Sequence, residues 1–127
     1  MSIVTRIKEK IEEYPNLTID EEQCSISVTP VGGFTVWATD NGSSYTVGFE
    51  GWHEEFESTE EALICFVWGL STECRLEVTK RGNVTHKWVA QNLENGQWVN
   101  TSTTGLLFFP FWRGAKVSHK QNAIINS

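Results

Sequence analysis

Two Asn-Gly pairs constrain this chain more than any other feature. Asn41-Gly42 and Asn95-Gly96 each sit between segments in which apolar and polar residues alternate. Asn and Gly accept the positive φ of a tight primed turn, and alternation at period two marks half-buried strands, so both pairs predict hairpins. Before the first pair, Cys24, Ile26 and Val28 alternate with Ser25, Ser27 and Thr29. Pro30-Val31-Gly32-Gly33 turns the chain, Phe34, Val36 and Ala38 make the next inward face, and Tyr45, Val47 and Phe49 return. Leu17 and Ile19 alternate only briefly. In the second half Cys74, Leu76 and Val78 alternate, Lys80-Arg81-Gly82-Asn83 turns, and Val84, His86, Trp88 and Ala90 share a face. Gln97 to Thr104 reads as another strand and Lys116 to Gln121 as a last one, with residues 106–121 open to either one strand or two.

Two segments carry the helical period instead. Ile3, Val4, Ile7, Ile11 and Tyr14 recur at helical spacing behind a candidate cap, Ser2, and Pro15 restricts Tyr14 and stops the element. Ser58-Thr59-Glu60-Glu61 fits a capping box. Ala62, Leu63, Phe66, Val67 and Leu70 then form an apolar face that Ile64, Cys65 and Trp68 extend nearly all round, which predicts a buried helix. The order is α-β-β-β-α-β-β-β-β. Short connections favour an α+β fold with a single antiparallel sheet of roughly six to seven strands and both helices packed on one face. At 127 residues there is room for one domain, with a tail from about residue 122 expected to fray.

Composition narrows the classes. An apolar share of 39% and a charged share of 20% suit a folded domain better than disorder or a coiled coil. No stretch approaches the ~20 apolar residues of a membrane span. The N-terminus reaches Arg6 and Lys8 without a signal-peptide core, so a cytoplasmic protein is expected. Cys24, Cys65 and Cys74 are odd in number and lie in apolar periodic segments, as reduced core thiols do.

Charge is lopsided. Residues 1–63 hold three bases and thirteen acids, a net of −10, and residues 64–127 hold seven bases and three acids, a net of +4. Either the two halves interleave and cancel, or an acidic face is left to steer a cationic partner. The scattered bases offer no concentrated surface for phosphates, so nucleic acid is not an expected partner.

Chemistry-bearing candidates are few. Glu50, His53, Glu54, Glu55 and Glu57 read as an acidic loop before the second helix, with carboxylates and an imidazole that suit a cation or acid–base work. The simpler account has Glu57, Glu60 and Glu61 complementing the helix dipole. The spacing matches no metal motif, so no metal or cofactor is expected. Catalytic motifs are absent, and a Cys74–His86 dyad has only a short turn between its strands to favour it. Trp37 and Trp98 fall on otherwise polar strand faces and are candidate anchors for a partner. Leu106-Leu107-Phe108-Phe109-Pro110-Phe111-Trp112 is apolar throughout, which an edge strand cannot expose on both faces. It is buried within the domain, packs against a second copy, or lines a pocket.

The leading expectation is a non-enzymatic protein-binding or regulatory module, homodimeric, that uses its acidic half and surface aromatics. The alternative is a pocket for a small molecule, or an enzyme, with a cavity between sheet and second helix lined by Trp88, Phe108, Phe111 and His86.

Overall fold

A computed structural model describes residues 2–106 and 110–125. The chain runs α1 (Ile3–Ile11), β1 (Leu17–Glu21), β2 (Ser25–Pro30), β3 (Val36–Asp40), β4 (Tyr45–Phe49) and β5 (Trp52–Phe56). It continues with α2 (Thr59–Gly69), β6 (Cys74–Arg81), β7 (Val84–Glu94), β8 (Gln97–Gly105) and β9 (Ala115–Lys120). The class is α+β and the pairing antiparallel, but there are two sheets where one was expected: a five-stranded meander β1-β2-β3-β4-β5 and a four-stranded sheet β8-β7-β6-β9.

The split has a local cause. Five strands precede α2, two more than the alternation suggested. Leu17–Glu21 pairs along its whole length with β2, and Trp52–Phe56, read from sequence as an acidic loop, pairs with β4. These two strands complete a meander, so the second half of the chain builds its own sheet. There, β6, β7 and β8 are joined by hairpins, and β9 returns by a long connection to lie against β6. This is a Greek-key order.

Both helices lie over the five-stranded sheet, and α2 also touches β6. Ser2 caps α1, its Oγ accepting from the Thr5 N–H at 3.2 Å, and Ser58 caps α2, accepting from Glu61 N–H at 3.3 Å. The helices close on Ile3, Val4, Ile7 and Ile11 from α1 and on Ala62, Cys65, Phe66 and Gly69 from α2. Under them sit Ile26, Val28, Val36, Ala38, Val47 and Phe49 from the sheet. Gly69 is required, because a Cβ there would lie 2.4 Å from the Phe49 ring. The second helix is less enclosed than its all-round apolar pattern predicted: Ile64 is 69% exposed.

The last described residues are tied to the body of the fold. Asn122 accepts from Phe34 N–H at 2.7 Å and donates to Gly69 O at 2.9 Å, and buried Ile125 bridges to Ser71. No helix is long and apolar enough to cross a membrane among the described residues.

Candidate functional site

The turn between β4 and β5 sets the site. Phe49 pairs with Trp52, leaving Glu50-Gly51 as a two-residue turn, and Glu50 takes a left-handed φ of +53°. That conformation costs a side-chain-bearing residue ~1–2 kcal/mol. It is fixed by a full set of partners: Glu50 N–H donates to Thr35 O, Glu50 O accepts from the Trp37 indole, and the carboxylate accepts from Lys120 Nζ at 3.1 and 3.3 Å. Gly51 must lack a Cβ because the Trp88 ring stands 2.3 Å from where one would be. The turn thereby joins the two sheets.

Beyond the turn, strand alternation divides the acidic segment. Trp52, Glu54 and Phe56 pair with Phe49, Val47 and Tyr45 and share their inward face, while His53 and Glu55 oppose Gly48 and Thr46 on the outer one. Glu50 is bound to Lys120. The candidate cation loop is therefore corrected: its carboxylates do not converge, and no cluster of three or more His, Cys, Asp or Glu suited to a metal occurs among the described residues.

What the alternation creates is a groove. The helix contributes Glu61, Ile64, Cys65 and Trp68, residues at helical spacing on one face; β5 contributes Trp52, Glu54 and Phe56; Asn92, Thr101 and Ser102 of β7 and β8 form the far side. The cavity measures about 510 Å³, within the range that holds a small organic ligand. Trp68 is fixed by its N–H to Asn92 Oδ1 at 2.8 Å. Trp52 stacks on Phe49 with ring centroids 4.4 Å apart and is 1% exposed, and its indole N–H, itself shut off from solvent, has no acceptor among the described residues. A buried unpaired donor of this kind costs ~1–3 kcal/mol and needs an explanation. Burial, with the Glu54 charge adding to it, pushes the Cys65 thiol up to about 12. The thiol is protonated at neutral pH and is a poor nucleophile.

The other expected site residues fall elsewhere. Trp37 lies over Gly48 on the outer face, half-buried, with its donor spent on Glu50. Trp98 is half-buried and covered by the Arg75 guanidinium, 4.6 Å from the ring centroid. His86 is buried at a bulge: Lys87 opposes Thr79 and Thr85 opposes Lys80, leaving His86 between the pairs. Cys74 opposes Asn92, six residues along β7 from His86, roughly 20 Å at ~3.3 Å per residue, so the two form no dyad.

Trp88 lines a different cavity with Glu50, Lys80, Thr85 and Lys120; His86 does not join it, and neither does Phe111. Phe108, the fourth residue expected with Trp88, His86 and Phe111, lies outside the described residues. Phe111 and Trp112 are each 72% exposed in a turn pinned by Arg81, which donates to Phe111 O at 3.3 Å and Arg113 O at 2.9 Å. Phe109 likewise lies outside the described residues. Of the three thiols, Cys65 and Cys74 are buried but Cys24 is exposed, contrary to its reading as a core residue.

The charge map stays segregated. The net −10 portion supplies α1, the whole five-stranded sheet and the first turn of α2, and strands of the two halves do not alternate. Lys120–Glu50 joins the halves, whereas Arg6–Glu60, Lys8–Glu21 and His119–Glu77 stay within one.

Sequence reading missed the groove's Trp52, Phe56, Glu61, Cys65 and Trp68 as site residues. The signal was present: Trp-x-Glu-x-Phe alternates at period two, and a strand there sets the carboxylate between two aromatic rings. Comparison of the chain with family models, curated proteins and solved structures finds no match in any of the three.

Proposed function

We propose that this chain is a non-catalytic binding module that takes a small ring-bearing ligand in the groove between α2, β5 and the β7–β8 hairpin. The observation that carries the reading is a cavity of ligand size, about 510 Å³, walled by the aromatic residues Trp52, Phe56 and Trp68. The rings of Trp52, Trp68 and Phe56 supply apolar contact, and Asn92, Thr101 and Ser102 supply polar groups on the far side. The protonated Cys65 thiol offers no activated nucleophile, so binding rather than turnover is the reading.

Tyrosol, a neutral phenol, is the probe, with the six tryptophan indole N–H signals as the NMR readout. Saturable movement of the Trp52 and Trp68 signals, abolished when Ser102→Trp fills the groove, is expected. Signals that stay fixed at millimolar tyrosol overturn the reading.

A second reading is favoured by Phe111 and Trp112, adjacent, exposed and edge-to-face with ring centroids 5.3 Å apart. Such a pair suits a protein contact, including one with a second copy of the chain, and the segregated acidic half suits a basic partner. Sedimentation of Trp112→Ser beside the wild type tests self-association; two identical monomers remove that part.

A further inference from the structure

The groove combines two recognition chemistries that single out one kind of ligand. Glu54 shares the strand face of Trp52 and Phe56 on β5 and is exposed at the groove between those two rings. Glu61, also exposed, lines the same cavity from the first turn of α2, and no Lys or Arg lines it among the described residues. Neither carboxylate is paired with a basic side chain among the described residues. Aromatic rings beside free carboxylates attract a cation twice, through the ring quadrupole and through charge.

We propose that the groove selects an aromatic amine: a cationic head held between Glu54, Glu61 and the ring faces, and a flat body laid against Trp52, Phe56 and Trp68. The proposal rests on the groove being the ligand site. Charge is its added content, and Glu54 is the discriminating residue. Glu61 contributes less, because it already complements the positive end of α2.

Tyramine, tyrosol and 4-hydroxyphenylacetate share one phenol and differ in an ammonium, a hydroxyl or a carboxylate, so their affinities separate ring recognition from charge. NMR titration of the intact chain should rank them ammonium, alcohol, carboxylate, with tyramine roughly five- to thirtyfold tighter than tyrosol. Glu54→Gln should collapse the tyramine-to-tyrosol ratio toward one, and Glu61→Gln should lower it by a smaller factor. A thermal melt of each variant, expected to match the wild type, checks that folding is intact. Equal binding of tyramine and tyrosol overturns the cation proposal and leaves the groove reading standing. A preference that survives Glu54→Gln overturns the assignment of that carboxylate. If none of the three probes moves the Trp52 or Trp68 signal, both readings fall together.

Discussion

In the five-stranded sheet, β2, β3 and β4 bury one continuous face under α1 and α2, whereas in the four-stranded sheet full burial centres on β6 and the middle of β7. β9 is exposed on both sides along nearly all its length, and β8 is mostly exposed. Both sheets follow the same alternation and the same turns. The difference lies in what covers them: the first sheet has two helices, the second has the edge of β5 and part of α2. Alternation fixes which residues share a side, but enclosure depends on the neighbouring layer. The groove sits where the two regimes meet, with a wall from each.

The largest expected effect contrasts the two interiors. Phe49 is fully buried and touches Trp52, Phe34 and Trp68 at ring-centroid distances of 4.4, 5.5 and 5.6 Å. Phe49→Ala should destabilise by about 3–5 kcal/mol. Val117 in β9 is 55% exposed, so Val117→Ser should stay within ~0.5 kcal/mol. Urea denaturation measures both. Similar losses at the two positions would break the comparison, since the second sheet would then be as tightly covered as the first.

Much of this division was written in the sequence, and some was not. Ser2 and Ser58 mark their helix starts by side-chain chemistry that works locally, and both Asn-Gly turns join the strands they predicted. β5 escaped because Glu54 interrupts its inward face, which makes Trp52–Phe56 look like an acidic loop. β1 escaped because a strand edge needs only one side covered, and Leu17–Glu21 is exposed almost throughout. Missing those two strands forced the single-sheet expectation. The bulge at His86 was equally hidden, since one inserted residue shifts the pattern without changing composition. The groove depends on β5, α2 and β8 meeting across more than forty residues of chain, and no local period encodes such a meeting.

The junction itself is sharpened by pH. Cys65 on α2 and Cys74 on β6 belong to different regions, and burial raises the pKa of both above the ordinary thiol value of 9.0, Cys65 to about 12. A raised thiol pKa means that the folded state holds its proton after the unfolded chain has lost it. The stabilisation is complete below pH 9 and is lost as pH climbs from 9 toward 12. The slope should approach ~1.4 kcal/mol per pH unit for each thiol. Denaturation midpoints from pH 8 to pH 10.5 should fall accordingly, and Cys65→Ala with Cys74→Ala should flatten the decline. An unchanged slope in the double variant would mean that the junction is wetter than its geometry indicates. In the native chain, thiol labelling should reach Cys24 well before the other two.

The smallest effect probes how the second sheet manages with little cover. A polar ladder crosses its outer face. The Arg75 guanidinium lies over Trp98 and its Nε donates to Gln91 Oε1 at 2.8 Å. Gln91 donates to Asn100 Oδ1 at 2.7 Å and to Glu77 Oε2 at 3.4 Å, and Glu77 meets His119 Nε2 at 3.1 Å. These contacts touch all four strands, so each links neighbours that apolar burial holds only weakly. Trp98→Ala removes the outermost member and should cost about 0.5–1 kcal/mol, the range of a half-exposed cation–π contact. Arg75→Lys should act in the same direction, because an ammonium does not reproduce both the stacking and the directed bond to Gln91. A loss above ~2 kcal/mol for Trp98→Ala would make β8 part of a core. The second sheet would then be held by burial, as the first is, rather than by cross-strand polar contacts.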